Sequence, residues 1–109
     1  MQLWEMSEIK KLFDRLRQLP FPGLGKRVGD FALYDTLLAG CVERASRGEQ
    51  IVLSEIPASD QETARCVAEM RQKSDISDEE CAFVQYFDLL EEIRMALISN
   101  NAGDDHSSE

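Results

Sequence analysis

Asp88, Glu91 and Glu92 stand at i, i+3 and i+4, a spacing that gathers carboxylates on one side of a helix. Asp88 and Glu91 so placed could share a Mg²⁺, provided a second helix supplies further acids. The candidates for that second set are Glu62 with Glu69, or Glu79 with Glu80, and neither pair falls on an inward face. A solvated acidic face is therefore the expected reading of this cluster.

The other chemical candidate is Pro22-Gly23-Leu24-Gly25-Lys26-Arg27-Val28-Gly29-Asp30. Glycines with Lys and Arg ahead of a helix start could cradle a phosphate on backbone N–H groups. The pattern departs from a Walker loop, because Gly25-Lys26 is not followed by Ser or Thr and no strand precedes it. Asp30 at the helix start would also repel an anion. The segment is expected to be a helix–helix connection.

His106 is the only histidine and falls in a polar carboxy-terminal stretch, so a His-dependent triad lacks its base. Cys41, Cys66 and Cys81 have no metal-ligand spacing, and no nucleophile turn surrounds any of them. No cofactor is expected. An odd cysteine set, together with an acidic, Trp-containing start in place of a signal peptide, points to a reducing, cytoplasmic setting. The apolar runs are too short for a membrane span.

Any such residues must be positioned by helices. Met6, Ile9, Leu12, Phe13, Leu16 and Leu19 recur at three- and four-residue spacing, and Pro20 and Pro22 end that pattern. Phe31, Tyr34, Leu37, Leu38, Cys41, Val42 and Ala45 form one stripe of a second helix, with Asp30 as its N-cap and Gly48 ending it in a left-handed conformation. Ser59-Asp60-Gln61-Glu62 and Ser77-Asp78-Glu79-Glu80 both read as capping boxes opening a third and a fourth helix. Ile51, Val52 and Leu53 favour extended structure but have no strand to pair with, so residues 50–57 are expected to be an extended connection pinning Ile51, Leu53 or Ile56. Trp4 and Phe21, beside the first helix, are expected to close a core or an interface.

The result is an all-α, four-helix single domain over residues 1–99, with helices at about 3–19, 30–47, 59–73 and 77–99, and a disordered acidic tail at 100–109. The third helix is weakly apolar and suits a cover. The fourth is apolar over an arc of about 200°, roughly twice the minimum stripe of a surface helix.

Charge limits the partners. The net charge of −9 disfavours nucleic acid, and an acidic fourth helix is unsuited to reading a DNA groove. Residues 1–29 hold six bases against three acids, whereas the remainder holds six bases against eighteen acids. These features favour a protein–protein interaction module without catalysis, self-associating as a homodimer through Phe83, Tyr86, Phe87, Leu90, Ile93 and Leu97. Two alternatives remain from the same residues. One is a small metal-dependent or phosphate-handling helical enzyme. The other is an acidic regulator masking a basic site on a larger protein.

Overall fold

The computed structural model describes the backbone of residues 6–107 and the side chains of residues 6–100. Four α-helices follow in order: α1 (Met6–Arg17), α2 (Phe31–Ser46), α3 (Gln61–Gln72) and α4 (Asp78–Ser107). Short 3₁₀ turns at Gly23–Lys26 and Leu53–Glu55 interrupt two of the connections, and no strand forms among the described residues. The all-α, four-helix architecture expected from the sequence is the one observed.

α4 is the axis of the fold. Its thirty residues span ~45 Å, which matches the longest dimension of the molecule, 46 Å. α1, α2, α3 and the Gly23–Lys26 turn all pack against it. Phe83, Leu90, Ile93, Ala96 and Leu97 are almost fully buried, as are Ile9 and Leu16 of α1 and Phe31, Leu38 and Val42 of α2. Phe31 sits at the centre of an aromatic cluster, with ring centroids 4.8 Å from Phe83, 5.7 Å from Phe21 and 5.8 Å from Tyr86. Burial of each such ring contributes about 1.5–3 kcal/mol, so this cluster is the main anchor between α2 and α4. Trp4 lies outside the described residues.

Polar bonds fix the angle between the same two helices. The Tyr34 hydroxyl donates to Glu91 at 2.5 Å, and the Tyr86 hydroxyl donates to Asp35 at 2.9 Å. Each helix thus gives one tyrosine and takes one on a carboxylate. Burial and the adjacent carboxylate push both phenols far above the ordinary tyrosine value. Burial also raises the Asp35 carboxyl.

The helix ends show which local signals survive folding. Gly48, at φ +89°, ends α2 as expected: its N–H donates to Ala45 O, and Glu49 N–H donates to Arg44 O. That double bond pattern is a Schellman cap. At the start of α4 the expected capping box is complete, with Glu80 N–H donating to Ser77 Oγ at 3.1 Å and Ser77 N–H donating to Glu80 Oε1 at 3.0 Å.

Ser59 does not behave like Ser77. The cap residue of α3 is Asp60, and its carboxylate accepts from Asp30 N–H at 3.1 Å and from the Thr63 hydroxyl at 2.5 Å. Asp30 makes no side-chain cap of its own, because its backbone (φ −101°, ψ 31°) lies outside the extended region that capping requires. The incoming Asp60 instead holds one of the free N–H groups at the start of α2. Gly29, at φ +49°, makes this approach possible, since a Cβ there would overlap Asp60 and Thr63.

Two further expectations are corrected. Ile51 and Ile56 are buried as anchors of the connection, but Leu53 is 44% exposed, because the 3₁₀ turn at Leu53–Glu55 rotates it outward. α4 continues to Ser107, past the predicted end near residue 99, since no proline interrupts it. The expected acidic tail at 100–109 falls almost wholly beyond the described side chains.

Candidate interaction surface

The six residues expected to form an interface on the last helix all lie inside the single chain. Phe83 and Ile93 are 0% exposed, and Leu90, Leu97, Tyr86 and Phe87 are buried with them. The broad apolar arc of α4 is consumed by α1, α2 and the Gly23–Lys26 turn. A helix at the centre of a fold needs contact on several sides, so the apolar excess of its described residues identifies a core helix.

The Gly-rich segment is also explained within the chain. Gly25 is buried, and a Cβ there would lie 2.7 Å from the Phe31 ring and 3.0 Å from the Phe21 ring. Gly29 is required by its positive φ and by Asp60. Arg27 pairs with Glu79 at 3.1 Å across to the start of α4. These glycines therefore serve close packing, and the nearby carboxylates of Glu79, Asp30 and Asp60 disfavour a bound anion.

The three acids of α4 diverge. Asp88 forms a two-pronged ion pair with Arg71 of α3, one prong being 3.3 Å long. Glu91 accepts from Tyr34, while Glu92 is exposed. Arg94 donates to the Pro57 carbonyl at 2.9 Å, which ties the connection to α4. Among the described residues no three His, Cys, Asp or Glu side chains converge as metal ligands. Cys41 is buried against the Glu55 carbonyl and burial raises its thiol, whereas Cys66 is half-buried and Cys81 exposed. All three are free thiols.

The amino-terminal bases partly meet the chain's own acids. Besides the Arg27–Glu79 pair, Arg15 lines a groove between α1 and α4 with Asp88 and Glu92. Arg17 stacks on Phe13 at 4.6 Å, and its charge reaches Asp35 and Tyr86. Some of the charge asymmetry in the sequence is thus satisfied internally.

What remains unpartnered is apolar and sits on α2. Leu33 is 55% exposed and Leu37 49% exposed, at i and i+4 on one face. Leu37 is a correction, since the sequence stripe counted it with the core. It lies at the edge of the apolar arc, 40° from Cys41's neighbouring turn by the about 100° step of a helix. Glu55 reaches the next turns of that edge through Arg44 (3.0 Å) and Cys41 (3.6 Å). Val52 and Leu53, in the connection so fastened, are also exposed. Around them Arg44, Arg47, Glu49 and Glu55 neutralise one another in ion pairs of 3.0–3.1 Å. Met95 of α4 is the remaining large exposed apolar side chain among the described residues.

The other flank of α2 carries a notch of about 340 Å³ lined by Arg17, Asp35, Thr36, Ala39, Gly40 and Glu43. Sequence reasoning missed both flanks. The only available signal was the i, i+4 pair Leu33–Leu37 lying off the centre of the stripe. No helix of the described residues is long and apolar enough to cross a membrane. Comparison with protein-family models, with curated proteins and with solved structures returns no match for this chain.

Proposed function

We propose that this protein is a protein-binding module that acts through the outer face of α2 and the adjoining Leu53–Glu55 turn. One observation carries the reading: Leu33 and Leu37 stand roughly half exposed at i and i+4 on α2, and Val52 and Leu53 are exposed in the connection that Glu55 fastens to α2. Scattered exposed apolar residues are ordinary, but a helix-face pair continued by a neighbouring segment is the pattern of an interaction site. The rim supports it, because its charged side chains are paired with one another, so a partner covering it would strand no lone charge. A metal-dependent or phosphate-handling enzyme has weaker support, since its two candidate constellations are each engaged in packing or ion pairs.

The test places a photoreactive benzoylphenylalanine at position 37, with position 72 on exposed α3 as the comparison. The expected result is a discrete covalent adduct from position 37 that weakens with Leu33→Ser and is missing from position 72. Equal labelling from both positions, or none from position 37, contradicts the reading.

A further inference from the structure

α3 is fastened differently from the other helices. It buries Thr63, Val67 and Met70, whereas α2 buries Phe31, Tyr34, Leu38, Ala39, Cys41 and Val42. α1 and α2 each pack on more than one element, but the main neighbour of α3 is α4. A helix of twelve residues is marginal in water by itself, so α3 depends on what holds it down.

Much of that hold is polar and sits at its two ends. At the start, the Asp60 carboxylate accepts from Asp30 N–H at 3.1 Å. At the far end Arg71 pairs with Asp88 of α4, both side chains being about half exposed, and Lys73 pairs with Glu80 at 2.6 Å. Exposed ion pairs of this kind each contribute little in water.

The chain is pinned on either side of this weakly held stretch. Before it, Ile56 is buried and the Pro57 carbonyl accepts from Arg94 of α4. After it, Ser77 and Glu80 close the capping box that starts α4. Residues 58–60 and 73–76, between those pins and the helix, are irregular chain that can bend.

We infer that α3 is a lid: residues 58–76 lift off α4 as one unit while α1, α2 and α4 stay folded. Partial opening of this sort belongs to elements that bury few apolar side chains and are tied at the surface. Lifting breaks the Arg71–Asp88 and Lys73–Glu80 pairs and takes Val67 and Met70 out of the core. It also removes the acceptor of the Asp30 N–H, so the start of α2 registers the state of the lid. This device goes beyond the binding-module reading and does not depend on it.

Native-state hydrogen exchange of the full chain, read by NMR in low urea, tests the lid. The amides from Ala64 to Gln72 should share one opening, at least about tenfold more frequent than that of Leu90 and Ile93. Its urea dependence should be shallower, because less surface is exposed. The Asp30 amide should exchange in step with α3. Arg71→Ala should speed the α3 amides by about threefold. Tyr86→Phe should speed Leu90 and Ile93 by about tenfold or more yet leave the Val67 amide unchanged, because the Tyr86–Asp35 bond survives in the lid-open chain. If Val67 answers Tyr86→Phe as Leu90 does, the chain opens as a single unit and the lid is overturned. Graded fraying from the ends of α3 with no shared urea dependence overturns it too, as does an α3 indifferent to Arg71→Ala.

Discussion

α2 and α4 both carry more apolar surface than a single buried stripe needs, yet they dispose of it in opposite ways. α4 is packed by α1, α2, α3 and a 3₁₀ turn, and Phe83, Tyr86, Phe87, Leu89, Leu90, Ile93 and Leu97 are buried in the core. α2 is packed on one side only, and Leu33 and Leu37 reach solvent on the other. Apolar excess along a helix therefore has two meanings, a central position or an unsatisfied face. The number of neighbouring helices decides which applies, and that number is a property of the tertiary fold.

The largest expected effect separates the two helices directly. Phe83→Ala empties a site against Phe31 and should cost about 3–5 kcal/mol by urea denaturation. Leu37→Ala should change stability by no more than about 0.5 kcal/mol in the dilute protein. Similar losses from both would erase the contrast.

Next come the bonds that join α2 to α4. Tyr34→Phe and Tyr86→Phe should each cost about 1.5–3 kcal/mol, since each removes a hydrogen bond to a carboxylate. Their pH dependence has a definite sign. Below about pH 10 the phenol is protonated in both folded and unfolded chains, and the bonds contribute fully. Above it the unfolded chain loses protons that the folded chain retains, so stability falls as pH rises. The protein contains only these two tyrosines, so tyrosinate absorbance should emerge together with loss of helical circular dichroism. A phenol titrating near pH 10 in folded protein would break the pairing.

The glycines give a smaller effect of either sign. Gly25→Ala forces a methyl group into the Phe31 and Phe21 rings and should destabilise by about 1–3 kcal/mol. Gly40→Ala meets nothing and should stabilise the dilute protein by about 1 kcal/mol. Smallest is the contrast between the two serine starts: Ser77→Ala should cost about 1 kcal/mol, and Ser59→Ala much less, because only Ser77 caps its helix.

That last contrast also shows how much the sequence reveals. Helix periodicity placed all four helices, and local signals sufficed at Ser77 and Gly48, where every bond partner lies within a few residues. They failed at Asp60 because its carboxylate is taken by Asp30, thirty positions away. They failed again at Leu53, rotated outward by a single 3₁₀ turn. The interface expected on α4 failed for a related reason. Periodicity measures how wide an apolar arc is, but carries no record of how many neighbours cover it. The Leu33–Leu37 face could be recognised only once α2 was known to have none on that side among the described residues.

Hydroxyl-radical footprinting read by mass spectrometry tests this division most directly, because it reports leucine exposure on both helices in one sample. In dilute protein Leu33 and Leu37 should oxidise at least about tenfold faster than Leu90 and Leu97, in line with their exposures. Fast oxidation of Leu90 and Leu97 in the dilute protein, or slow oxidation of Leu37, would contradict the account.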